Sequence, residues 1–158
     1  MKKIFKFFAY AFVTIVGLIA VLMAVVYGVS SSRMKKTFTV KDTAVPVFTS
    51  AADIAEGKRL FLSRGCADCH GENLAGKVFL EDGAMGRYAG SNLTQGKGGI
   101  LASRTDFDLE RAIRHGVGQN GRALIFMPAT DFQGMSNQDV GRLIAYIRSR
   151  SEERRVGK

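Results

Sequence analysis

Twenty-three consecutive residues without a charge, Phe7 to Val29 (FFAYAFVTIVGLIAVLMAVVYGV), dominate the start of the chain. Every face of a helix built from them is apolar, so the run lacks the polar stripe of a helix resting on a protein surface. At about 1.5 Å per residue it is roughly 34 Å long, enough to cross a ~30 Å hydrocarbon core. A cleaved export signal usually has an apolar core of ~7–15 residues, and no clear small-x-small site stands before Arg33. An uncleaved transmembrane anchor with its basic flanks is therefore expected over residues 1–36.

The pattern then changes. Residues 37–49, TFTVKDTAVPVFT, are β-branched, lack a helical period and contain Pro46, which predicts an extended linker. The stretch from Ser50 to Gly65 predicts a helix, with Ser50 as cap, Asp53 at the third position and Gly65 as stop. Ile54, Gly57, Leu60 and Phe61 share one side of it. Residues 71–104 are Gly-rich and predict a long irregular loop with no evident strand pair. A loop of that length is plausible in a compact domain where it wraps a large ligand. Thr105 caps a second helix with Leu109, Ala112 and Ile113 as its apolar stripe. The last helix is capped by Ser136 with Asp139, stapled by Met135 onto Val140, and repeats Val140, Leu143, Ile144 and Ile147 at i, i+3, i+4, i+7. The final segment, RSEERRVGK (150–158), extends none of these stripes and is set apart as a tail of doubtful origin.

The formal charge of +9 changes this picture less than its size suggests. Six basic residues flank the apolar run and the tail has a small positive excess. Residues 37–149 hold 13 basic and 12 acidic side chains. A nearly neutral middle does not indicate a phosphate-tracking surface, so no nucleic-acid partner is expected.

Candidate chemistry concentrates in CADCH, residues 66–70, which holds both cysteines, Cys66 and Cys69, and one of two histidines, His70. A structural zinc site needs four ligands, and no second cysteine pair completes the set. A redox dithiol needs the motif at a helix start within a βαβ unit, whereas here a helix precedes it and a Gly-rich loop follows. The third chemistry uses every residue. Two thiols at this spacing form thioethers with the two vinyl groups of one porphyrin, and the adjacent histidine becomes an axial iron ligand. One covalent haem c is the expected cofactor.

Downstream, Met85, His115, Met127 and Met135 compete for the sixth iron position. Pro128 stiffens the chain beside Met127. Met135 already has a role as helix staple, His115 suits the C-terminus of its helix, and Met85 reads as an apolar cover. Met127 is the expected ligand with His70.

Gly57-x-x-x-Phe61, Cys66-Ala-Asp-Cys69-His70, Met127-Pro128 and Leu143-x-x-Tyr146-Ile147 together resemble a class I, monohaem c-type cytochrome over roughly residues 50–149. The phrases SNLTQGKGGI, DLERAIRHGV and MPATDFQGMSNQDVGRLIAYIRS are similar to cytochrome c domains associated with membrane-bound periplasmic dehydrogenases. The resemblance implies an all-α fold of three to four helices wrapped around one haem, behind the single transmembrane helix. It also implies a close crossing of first and last helices at Gly57 and Tyr146, and haem propionates approached by Asn92, Arg111 or Arg114. In bacterial families with this motif, attachment is completed outside the cytoplasmic membrane. That implies a single-pass inner-membrane protein, held by residues 7–29, with its haem domain in the periplasm. The expected role is one-electron transfer with redox protein partners and no small-molecule substrate, as a carrier or as a subunit of a dehydrogenase or respiratory complex. The alternative is a haem sensor or ligand-binding module with a labile sixth ligand.

Overall fold

A computed structural model describes residues 2–41 and 44–156, with side chains to residue 150. It divides into two units, Met1–Phe38 and Thr39–Lys158. The first is one helix, α1 (Lys2–Lys35), with no buried residue. Its large apolar side chains, Phe8, Phe12, Leu18, Leu22 and Val26 among them, are exposed along its whole length. Among the described residues it is the helix long and apolar enough to cross a membrane.

The second unit is built on α2 (Ala51–Ser63), α4 (Asp106–His115) and α5 (Asn137–Val156), with the short α3 (Cys66–His70) following α2. The capping residues read from the sequence act as such. The Ser50 hydroxyl accepts from the Asp53 N–H at 3.1 Å, and the Ser136 hydroxyl accepts from the Asp139 N–H at 3.1 Å. Helices α2 and α5 cross where Gly57 meets the Arg142 carbonyl and the Tyr146 Cβ. The Phe61 and Tyr146 rings pack 5.4 Å apart beside the crossing, and Arg142 donates to Asp53 at 2.9 Å. Val140, Leu143, Ile144 and Ile147 are all buried, with Leu60, Phe61, Leu109 and Ile113 opposite them in one core. Arg148 ties α5 to the start of α4 through Asp106 and through the carbonyls of Leu101 and Arg104.

Thr105 starts α4 with a reciprocal capping box. Its hydroxyl accepts from the Asp108 N–H at 3.1 Å, while the Asp108 carboxylate accepts from the Thr105 N–H at 2.9 Å. Asp108 also pairs with Arg111 at 2.8 Å. Burial pushes this carboxyl up, but the Thr105 hydrogen bonds and the Arg111 charge outweigh it and hold it below its usual 3.8. A folded-state pKa below the unfolded one contributes stability that is present above the unfolded value and lost as pH falls through the folded one. Asp108→Ala is expected to cost about 1 kcal/mol at neutral pH, with the difference from wild type shrinking below pH ~4. Urea unfolding at pH 7 and at pH 3 checks this.

One expectation needs correction, and two segments are described more closely. The Gly-rich segment contains a two-stranded antiparallel hairpin, β1 (Val78–Asp82) and β2 (Gly86–Ala89), where no strand pair was evident. Residues 44–49 of the linker form neither helix nor strand, and they dock on the domain. Val45 packs on the core, Pro46 and Phe48 lie against Gly141 of α5, and the Arg142 guanidinium sits 5.3 Å above the Phe48 ring. Finally, the backbone of α5 runs on to Val156, into the segment set apart as a tail.

Candidate functional site

Arg64 caps the C-terminal end of α2, and Gly65, with φ of 74°, turns the chain into α3. One helical turn then carries Cys66, Cys69 and His70 into the wall of a cavity of about 440 Å³. The chain leaving α3 is stitched back to it. Gly76 N–H donates to the His70 carbonyl at 2.9 Å and Lys77 N–H to the Cys69 carbonyl at 3.0 Å. Strand β2 returns so closely over α3 that a Cβ on Gly90 would run into the Cys69 carbonyl.

The next residue, Ser91, completes the arrangement. Its backbone carbonyl lies 2.9 Å from His70 Nδ1. A neutral imidazole donates there from Nδ1–H, which leaves the Nε2 lone pair for a metal. Burial holds the His70 pKa below its ordinary value, with the Ser91 hydrogen bond opposing, and so favours the neutral, ligating form. Cys66 and Cys69 are not joined as a disulfide. Burial pushes the Cys66 thiol up to about 11, opposite to the depressed thiol pKa of a redox C-x-x-C pair.

The rest of the wall comes from the hairpin (Phe79, Arg87, Tyr88) and from the segment Leu124–Pro128, with Phe132 behind it. Met127 is therefore in the same cavity as Cys66, Cys69 and His70. Met135 is not. It is 8% exposed and belongs to the core, below the first turn of α5. His115 ends α4 with Nε2 3.9 Å from the buried Glu110 carboxylate, and Met85 sits exposed at the hairpin turn. A larger groove, about 730 Å³, runs beside α2 and α5, but it is lined by no thiol, imidazole or thioether.

The residues that the resemblance implied for haem propionates have other partners. Asn92 accepts from Thr94 and donates to the Lys97 carbonyl. Arg111 pairs with Asp108, and Arg114 pairs with Asn137 and Glu110. The cations that line the cavity are Arg64 and Arg87, which sequence reasoning missed. It missed the aromatic wall of Phe79, Tyr88, Phe126 and Phe132 as well. The turn-forming Asp82-Gly83 pair was the available signal for the hairpin.

The cavity fits a haem. It offers two unpaired thiols, an imidazole with a free Nε2, a thioether sulfur and apolar or aromatic walls, the chemistry that a covalently linked porphyrin and its iron require. The class follows from comparison with known sequences. A family model described as cytochrome c matches residues 54–151, and the chain belongs to the cytochrome c family. It is accordingly an electron-transfer protein whose cofactor is covalently bound haem c. A fructose dehydrogenase cytochrome subunit from Gluconobacter japonicus is 30% identical over 108 residues, which cover 65% of this chain. The chain spans only 22% of that relative's length. No solved structure matches the chain.

Proposed function

We propose that this chain is a membrane-anchored periplasmic cytochrome that passes single electrons through one haem c, as the cytochrome partner of a dehydrogenase. The carrying observation is the convergence of Cys66, Cys69, His70 and Met127 on one cavity. Cys66 and Cys69 would hold the porphyrin through thioethers, and His70 and Met127 would ligate its iron. Bound there, haem c supplies the ferric/ferrous couple. The chain does the rest. The Ser91 carbonyl fixes the His70 ring, the Met127 thioether would favour the reduced form, and aromatic side chains wall the cavity. Similarity to a dehydrogenase's cytochrome subunit supports the choice of partner, and α1 supports the anchor.

Intact-mass analysis of protein matured with haem is expected to show the mass of one haem added to the chain, abolished in Cys66→Ser/Cys69→Ser. Loss of that added mass on acid-acetone extraction of the wild type would show a merely noncovalent haem. For topology, protease added to spheroplasts is expected to release the haem domain. Release only from inverted vesicles overturns the periplasmic placement.

A further inference from the structure

The hairpin is the element that neither the helical core nor the attachment motif requires, and its position beside the cavity gives it work to do. Its two strands do not pair regularly. Val78 faces Ala89 and Leu80 faces Tyr88, so Phe79 is an extra residue on β1. Such a bulge re-aims a side chain, and here Phe79 and Tyr88 reach the same ring. The Phe126 centroid lies 4.5 Å from that of Tyr88 and 5.6 Å from that of Phe79, in tilted and edge-on geometries. All three rings line the cavity.

Phe126 immediately precedes Met127. The last cross-segment backbone hydrogen bond before it runs from Leu124 N–H to the Gly116 carbonyl, and the next bond after it, Ala129 N–H to the Met127 carbonyl, is local. The lateral hold on this stretch therefore comes from side chains, and Phe126 supplies the contact with the hairpin. The hairpin itself is braced. The Tyr88 hydroxyl donates to the Met85 carbonyl at 2.7 Å, and one Asp82 carboxylate oxygen accepts from the N–H groups of Ala84 and Met85. Its base is bonded to the carbonyls of Cys69 and His70 through Lys77 and Gly76. A stiff arm thus leads from the helix that carries His70 to the segment that carries Met127.

We propose that Phe79 and Tyr88 clasp Phe126 and hold the Met127 sulfur in the cavity, as positioning residues for the sixth iron ligand. This rests on the reading of Met127 as that ligand. Without the clasp the segment opens more often, and an added ligand competes with the sulfur more successfully. Losing contacts of this kind corresponds to about a tenfold change in that competition.

The test uses the full haem-loaded chain in detergent, with imidazole titrated into the oxidised protein and the near-infrared methionine-to-iron charge-transfer band recorded. Tyr88→Ala and Phe126→Ala are each expected to bind imidazole roughly tenfold more tightly and to show a weakened band. Tyr88→Phe keeps the ring but loses the hydroxyl brace, and is expected to lie much nearer wild type than Tyr88→Ala. Phe126→Leu, which keeps apolar volume but loses the aromatic pairing, covers the case in which Phe126→Ala fails to take up haem. A wild-type band together with wild-type imidazole affinity in the loaded Tyr88 and Phe126 variants overturns the clasp alone. A wild-type protein that lacks the band overturns the Met127 assignment, and the clasp falls with it.

Discussion

Met127→His is expected to convert the optical spectrum to a bis-histidine type, abolish the near-infrared band and lower the reduction potential. The physical cause is the exchange of a soft thioether, which favours ferrous iron, for an imidazole, which donates more strongly to ferric iron. A fall on the order of 0.2–0.3 V is expected, a fraction of the ~0.8 V over which axial ligands tune haem potentials. The same substitution at Met135 has a different expected outcome. Met135 is buried in the core under α5, so Met135→His places an imidazole among apolar side chains and lowers stability without altering the ligand set. Spectroelectrochemical titration of the two variants separates these cases. An unchanged spectrum and potential in Met127→His would remove Met127 from the iron.

Gly57→Ala is expected to be the most damaging single-methyl change in the helical core. The added Cβ would run into the Arg142 carbonyl and approach within 2.9 Å of the Tyr146 Cβ. Both obstacles belong to the body of α5 and neither is a flexible chain end, so the helices must move apart. Overpacking of this kind costs about 3 kcal/mol at the upper end of its usual range. For a domain near 100 residues that corresponds to a melting temperature lower by roughly 10–20 °C. Circular dichroism melts of wild type and Gly57→Ala test it. A difference of only a degree or two would mean that the crossing is looser than the geometry describes. The exposed Gly83, where an added Cβ meets nothing within 4 Å, provides a matched Gly→Ala comparison.

Helices α2, α4 and α5 were legible because two independent signals coincided at each, whereas the single turn of α3 carried neither. At α4, the Thr105 cap and the Leu109/Ile113 stripe agree, and both are present in the structure. The hairpin gave no such agreement. Its strands are five and four residues long, mostly half-buried or exposed, and the bulge at Phe79 breaks the alternation by which a strand is recognised. The docking of the linker was written in Gly141, a glycine in a helix interior, where it costs about 1 kcal/mol relative to alanine unless something needs the space. Here the Pro46 carbonyl and the Phe48 ring need it.

At the site, the spacing of Cys66, Cys69 and His70 pointed to haem directly. The staple argument assigned Met135 to the core and left Met127 for the cavity, which is where the two residues lie. Asn92, Arg111 and Arg114, which the resemblance implied for haem propionates, are anchored within the protein. Each is held by a partner close in the fold, such as Asp108 for Arg111. Arg64 and Arg87, which do line the cavity, were hidden because one belongs to a helix end and the other to a strand that the sequence did not reveal.

The hydrogen bond from His70 to residue 91 has a consequence for how this protein can change over time. The acceptor is a main-chain carbonyl, an atom that every amino acid supplies, so the hydrogen bond itself makes no demand on the side chain at 91. Its neighbour is under the opposite rule. Gly90 touches neither ligand nor solvent chemistry through a side chain, yet any larger residue there would push into the Cys69 carbonyl. Selection for one and the same haem pocket would thus set a position whose hydrogen bond ignores its side chain beside an immovable one, and the immovable one is the residue with no functional group at all.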